Sequence, residues 1–596
     1  MSIPLILVFL ASYLPLRRTV TCPTALATHI RTQHRRNGRE IHNVIHISPN
    51  AICRKRDYIV PATIFPSPNP LRTMFQATRS NTRSLLVNVG GILCSRVFGL
   101  LRDILSAAFW GSTEVFQAAF TTAFSISNTF RSLFAEGAFS AAFVPQLSKR
   151  LEEGKTEDAW RLACRTITLM GCALGLIVLV GCVGVALLTP QLADRLTDET
   201  RYTMTIFPLL LPYALLICLA GAFGAVLNSL RVFAIPSLTP VIFNLVQLAA
   251  LGLLCVCGKT RQEFSSLIWF CVSVLVAGLL QLAVLLLACR RHGFRFRPDF
   301  TFLGPDVRQL ARTFAPAACS SGAQQLNVLA DKLIALWLGA AAVGAINYAN
   351  RLVFLPIGLL GAAMGQACLP HMSRADDAQR GELLETALRQ TLFFAFPMMT
   401  ILMALQTDVV RLLFQRGAFT EQAVQECVWA LNFYVPGLPA FCAVKVATAF
   451  HHSRQDTVTT FRVSLLCIIL NLILNLILCQ FLRQGGLTLA SAICSWLNVT
   501  LLLTLAARHC PEWNVRRSLR SALALALAAA TAGFAAHATA APLRALLAGL
   551  PHHNLTQLLT IVGATAVAFA VHVLLALLIG RQNVLAEFIG AIRRRR

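Results

Sequence analysis

From about residue 84 to residue 580 the chain alternates long apolar runs with short polar connectors, and each run is 19 residues or longer. A helix rises about 1.5 Å per residue and the hydrocarbon core of a bilayer is about 30 Å thick, so about 20 apolar residues make one crossing. By that measure the pattern predicts fourteen transmembrane helices. Seven lie at 84–110, 115–146, 160–188, 204–229, 236–257, 265–289 and 308–338; the others lie at 343–370, 386–414, 425–450, 461–482, 486–507, 518–541 and 556–580. No run alternates apolar and polar residues with period two, which argues against a transmembrane barrel. The expected fold class is an all-α polytopic membrane protein.

Residues 1–73 break this pattern. A short apolar stretch from Ile3 to Leu16 is followed by Arg, His, Pro and Asn residues without periodicity. Arg17 and Arg18 follow the apolar stretch, the reverse of a signal peptide, and the stretch is too short to span. Either this segment is a disordered or targeting extension, or translation begins at Met74, and the place of Met74 just ahead of the first long run favours the second.

Composition and charge narrow the class. With 56% hydrophobic and 13% charged residues in 596, and a mean hydropathy of +0.65, the chain fits no soluble class. The net charge of +26 would suggest nucleic acid in a soluble protein; in a membrane protein its distribution among connectors matters more. Connectors after even-numbered spans, with the C-terminal tail, hold roughly 20 Lys and Arg against roughly 8 on the other side, which places both termini in the cytoplasm. Lys149, Arg150, Lys155, the basic run from Arg290, the Arg516, Arg517 and Arg520 cluster and the terminal Arg593–Arg596 contribute most. This charge is read as topology and contact with anionic membrane lipids, not as nucleic-acid binding. The 19 cysteines are scattered through apolar spans, with neither zinc spacing nor a disulfide framework.

An internal repeat sets the expected architecture. The segment from Asp103 to Gly111 is echoed from Asp331 to Gly339, and Pro145 in AFVPQLSK matches Pro370 in ACLPHMSR. Pro212 and Ser229 line up with Pro436 and Ser453. Six spans per copy is an even number, so both copies have the same orientation, and two parallel six-helix lobes follow, related by an axis along the membrane normal. The expected division is 74–300 for the first lobe (helices 1–6), 301–510 for the second (helices 7–12), and 511–596 for helices 13 and 14 with a basic cytoplasmic tail. The last two helices either line a lateral lipid groove or pack on one lobe.

Charges inside the spans point to chemistry. Arg96, Arg102 and Asp103 lie in the first span, Arg131 and Glu136 in the second, and Arg351 in the eighth, in the opposite lobe. A charge near the bilayer centre costs about 2.5–3.5 kcal/mol on insertion scales, so retained arginines face a wet cavity, a partner or an anionic ligand. Arg96 and Arg102 share a helix face only if the helix bends, and Gly99 between them permits a bend. Asn128 lies one turn before Arg131 on the same face. Four guanidinium forks facing one cavity would suit a phosphate or diphosphate. The simpler alternative is internal pairing, Arg102 or Arg96 with Asp103 and Arg131 with Glu136, but Arg351 has no acidic neighbour in its span. Asp331, Asn471, Asn475 and Ser491 form a candidate site for Na+ or another cation; interhelical hydrogen bonding, or pairing of Asp331 with Lys332, would explain them equally. No phosphate loop, HExxH, CxxC or DDxxD motif is present, and the lone Asp376-Asp377 doublet reads as a solvated turn, so no catalytic residues and no organic cofactor are expected.

SRVFGLLRD at Ser95, FRSLFAEGAFSAAFVPQ at Phe130, NYANRLVFLPIGLLG at Asn347 and HHSRQD at His451 resemble the MurJ (MviN) family of bacterial lipid II flippases over about residues 74–582. The resemblance implies the multidrug/oligosaccharidyl-lipid/polysaccharide exporter fold. It also implies transport of the undecaprenyl-pyrophosphate-linked peptidoglycan precursor from the inner to the outer leaflet, driven by membrane potential, with the cell-wall synthesis machinery as a further partner. Arg96, Arg102, Arg131 and Arg351 match the family's essential cavity arginines, and Asp103 and Glu136 its acidic positions. Ala118, Ser127, Ser132, Asn350 and Phe354 depart from the family's pattern, the last leaving the cavity more cationic. The alternatives are an exporter of another polyprenyl-linked saccharide and a cation-coupled drug antiporter, the latter at odds with an arginine-rich cavity.

Overall fold

A helix satisfies its own backbone N–H and C=O groups, as a segment in lipid must, and every regular element among the described residues of the computed structural model is helical. The described residues are 91, 94–131, 138–192, 196–301, 304–510, 513–549 and 553–580. In chain order the first half contains α1 (94–110), α2 (Val115–Phe130), α3 (Ala138–Glu152), α4 (Thr156–Leu192), α5 (Asp198–Ser229), α6 (Ala234–Val256) and α7 (Phe264–Arg291). The second half begins with α8 (Pro305–Trp337) and α9 (Ala340–Pro356), which runs through a widened π turn (Ile357–Gly361) into α10 (Ala362–Arg374). Then come α11 (Asp377–Phe414), α12 (Glu421–Tyr434), α13 (Leu438–Ser453), α14 (Thr457–Leu482), α15 (Gln484–His509), α16 (Val515–Leu546) and α17 (His553–Gly580).

Ten crossings among the described residues are long and apolar enough to span a bilayer by length and composition. The other four of the fourteen expected correspond to α1, α2 with α3, α8, and α9 with α10. These carry Arg96, Arg102, Asp103, Arg131, Asp331, Lys332 and Arg351.

The repeat is written in the backbone. Gly111 and Gly339 both hold positive φ (77° and 106°) where α1 and α8 end, a conformation that L residues with a Cβ adopt at a cost. Ser229 and Ser453 close α5 and α13, and each is followed two residues later by a non-glycine residue at positive φ, Arg231 (62°) and Gln455 (60°). Pro145 lies within α3 and Pro370 within α10. Two large cores match the two halves: Trp110, Phe143, Phe270 and Phe294 are fully buried in the first, Tyr348, Phe414 and Phe419 in the second. Helices α16 and α17 pack on each other and on α11. Gly533 lies so close to Thr400 that an added Cβ would stand 2.8 Å from its side chain, and His572 Nε2 lies 3.0 Å from the Phe393 carbonyl.

The halves meet tightly where α1 ends. Ala418, in the turn between α11 and α12, donates its backbone N–H to Ala108 O at 2.8 Å. Gly344 on α9 abuts the Ser112 carbonyl so closely that a Cβ would collide with it, and Gln117 Nε2 donates to Tyr348 Oη at 3.4 Å. At the far ends of α3 and α8, Arg150 pairs with Asp306 at 2.7 Å.

Candidate functional site

Between these contacts lies a cavity of about 910 Å³, lined by residues of α1, α2, α3, α5, α6 and α7 on one side and of α8 and α9 on the other. Its described charged lining is Arg96, Arg102, Arg131, Lys332 and Arg351 against the single carboxylate of Asp103. Helical spacing decides this. Gln325, Val328 and Lys332 share one face of α8 and line the cavity, whereas Asp331, about 100° further round the same helix, projects toward α14.

Asp103 is the hub. Its Oδ1 accepts from Arg102 Nη2 at 2.7 Å, and its Oδ2 lies 3.0 Å from Arg351 Nε, so one buried carboxylate ties together guanidinium groups from both halves. Arg102 is further fixed by Nη1 donating to Asn244 Oδ1 at 3.1 Å and by its place over the Phe243 ring, 5.6 Å from the centroid. Asn244 in turn donates to the Ser95 carbonyl at 3.1 Å. Arg351 has no acidic neighbour in its own span, and its partner comes from α1, across the halves.

Arg96 and Arg102 both line the cavity but go separate ways. Arg96 makes no ion pair among the described residues, and its guanidinium lies against the π turn, where a Cβ on Gly358 would stand 2.7 Å from Nη2. Arg131 Nε donates to Asn128 Oδ1 at 2.8 Å, joining two expected site residues. Glu136 and Ser132 lie outside the described residues. Of the other departures from the family's pattern, Ala118 and Ser127 are fully buried away from the cavity, while Asn350 and Phe354 line it.

Asp331, Asn471, Asn475 and Ser491 come together at the meeting of α8, α14 and α15. Asn475 Nδ2 donates to Asp331 Oδ1 at 2.5 Å and to Asn471 Oδ1 at 3.1 Å, and Asn471 Nδ2 lies 3.5 Å from Ser491 Oγ. Turning the Asn471 amide lets its nitrogen donate to Asp331 and to Asn327, with its oxygen accepting from Ser491 N. Asn475 Oδ1 is buried without a donor. One carboxylate among neutral oxygens suits a monovalent cation, and no group of three or more His, Cys, Asp or Glu able to hold a metal occurs among the described residues. The pairing of Asp331 with Lys332 is not what forms.

Residues 107–551 match the family model described as lipid II flippase MurJ. The chain belongs to the MurJ family. A probable lipid II flippase MurJ of Rhizobium meliloti (strain 1021) is 33% identical over 82% of this chain and 92% of its own length. The lipid II flippase MurJ of Burkholderia cenocepacia is 30% identical over 72% and 83%. Among solved structures, a lipid II flippase MurJ in an inward closed conformation superposes with TM-score 0.69 at 21% identity, covering 83% of this chain and 99% of that one. An inward-facing MATE family multidrug resistance transporter of the MOP superfamily gives 0.58 at 13%, covering 71% and 98%. At these identities the structures show a shared fold.

The four arginines singled out in the sequence all border one cavity; the sequence offered Lys332 only as a partner of Asp331 and did not mark Asn244 or Phe243. Asn244 and Gln247 are polar residues three apart in an otherwise apolar run, a signal that was present in the sequence. Lys332 was masked by its neighbour Asp331, whose charge suggested a local pair.

Proposed function

We propose that this protein flips lipid II, the undecaprenyl-diphosphate-linked disaccharide-peptide precursor of peptidoglycan, from the inner to the outer leaflet of the cytoplasmic membrane. The carrying observation is the cavity between the two halves, with five cations against one described carboxylate. Such a lining attracts a polyanionic headgroup and repels the cationic drugs that an antiporter of the same fold would carry. Arginine forks can each give two parallel charge-assisted hydrogen bonds to a diphosphate, while the polyprenyl tail stays in lipid. Rocking of the halves about their shared cavity would present the headgroup to either side.

With both termini cytoplasmic, the outward step moves negative charge out of an inside-negative cell, a gain of about 2.3 kcal/mol per charge per 100 mV if the charge crosses the whole field. Membrane potential is the driving force in this reading. A sodium ion would be held by Asp331 with oxygens of Asn471, Asn475 and Ser491, where it would neutralise the one carboxylate of that cluster. A sodium-dependent thermal shift that Asp331→Asn abolishes is expected; a shift unchanged in that variant would remove the ion from this place.

The function is tested by leaflet-resolved transport of lipid II in vesicles. Arg96→Lys keeps the charge but loses the bidentate fork, so it should slow transport about tenfold or more. A wild-type rate in that variant would sink the diphosphate assignment.

A further inference from the structure

Resting on that flippase reading, we infer that Lys332 is a specificity-determining residue that holds a peptide carboxylate of the headgroup at the closed end of the cavity, apart from the arginines that hold the diphosphate. Helix rise gives the depths. Lys332 lies five residues from the end of α8 at Trp337, about 8 Å in, and Arg96 fourteen residues from the end of α1 at Trp110, about 21 Å in. Between those levels Asp103 already occupies Arg102 and Arg351.

Arg96 and Lys332, neither with a carboxylate partner among the described residues, therefore sit on backbone positions that differ by about 13 Å in depth along the cavity. A diphosphate held at the level of Arg96 does not bridge that separation, so a second anionic group of the ligand would be the partner of Lys332. Lys332 is only 9% exposed, yet its side chain borders the cavity and has no hydrogen-bond or ion-pair partner among the described residues. The charged groups that act on it are Arg351 across the cavity and Asp331, which is itself engaged with Asn475. A buried ammonium beside another cation gains most from a carboxylate brought by the ligand. A lysine suits that target, since it is a compact point charge with rotatable donors that asks for no planar partner.

The test is equilibrium binding to the full-length protein in nanodiscs, with lipid II and with lipid II whose peptide carboxyls are amidated. The wild type should prefer the native lipid by about tenfold, the order expected for one hydrogen bond to a charged group. Lys332→Gln should lose that preference while binding the amidated lipid as the wild type does, which also shows that the variant is folded. Lys332→Arg should keep most of the preference. Full preference in Lys332→Gln, or no preference in the wild type, would overturn the role of Lys332 and leave the flippase standing. A wild type that binds neither lipid would overturn the flippase reading itself.

Discussion

The bridge from Asp103 to Arg351 joins the halves through a single carboxylate, and its removal has a magnitude that the structure sets. At the observed 3.0 Å the Coulomb attraction is about 5.5 kcal/mol at an effective dielectric of about 20 and about 1.4 kcal/mol in water. The Asp103 side chain is 10% exposed but that of Arg351 is 46% exposed, so solvent screens the pair and the net coupling should fall near the lower figure, about 1–2 kcal/mol. Asp103→Asn keeps the shape, removes the charge and leaves two guanidinium groups facing each other. A double-mutant cycle of Asp103→Asn with Arg351→Gln, read as unfolding free energy in bicelles, should return that coupling. Single-variant losses that add to within about 0.5 kcal/mol would show that the two groups act independently and that the bridge does not tie the halves together.

Gly344→Ala drives a methyl into the Ser112 carbonyl, a backbone atom that cannot swing aside; a loss of about 1–3 kcal/mol and a longer spin-label distance across this end of the molecule are expected, and an unchanged distance would count against the tight seal. Asn244→Ala removes the acceptor of Arg102 and the donor to Ser95, so thermal stability should fall by the equivalent of about 1–3 kcal/mol, whereas no change would mean that Arg102 is held without it. Outside the spans, hydrogen bonds from Thr301, with Arg165 adding to them, hold the Asp299 carboxyl down at about 2. Because its folded-state pKa is depressed, its contribution is full above about pH 4, and is lost as pH falls toward 2. Asp299→Asn should flatten that acid limb of a thermal-shift profile, and an unaltered limb would assign it elsewhere.

Much of the architecture was legible because membrane helices are long, apolar and punctuated by charge. The repeat was visible as Asp103 and Gly111 against Asp331 and Gly339, and the structure adds a pair that sequence matching did not find, Arg231 and Gln455, alike in backbone and not in side chain. The four charge-bearing helical segments were also legible, since Arg96, Arg102, Arg131 and Arg351 within them marked them as candidate sites. Pairing across the halves was not. Nothing in the span of Arg351 announces Asp103 some 250 residues earlier, because the contact is made by packing of α9 against α1, not by spacing along one helix. The place of Lys332 on the cavity was not legible for a related reason: neighbours in sequence diverge by about 100° on a helix, so Lys332 lines the cavity while Asp331 turns to Asn475. The last two helices were left open between a lipid groove and packing on one lobe; small residues on α16, Gly533 and Ala536 among them, bring it against α11.

The most direct test of the whole account is in a cell whose own lipid II flippase is depleted. Expressing this chain there should restore growth and the display of lipid II on the outer leaflet, and Arg351→Ala, expressed to the same level, should fail to do so. Restored display by Arg351→Ala, or no display from well-expressed wild type, would contradict the claim that this cationic cavity carries lipid II across the membrane.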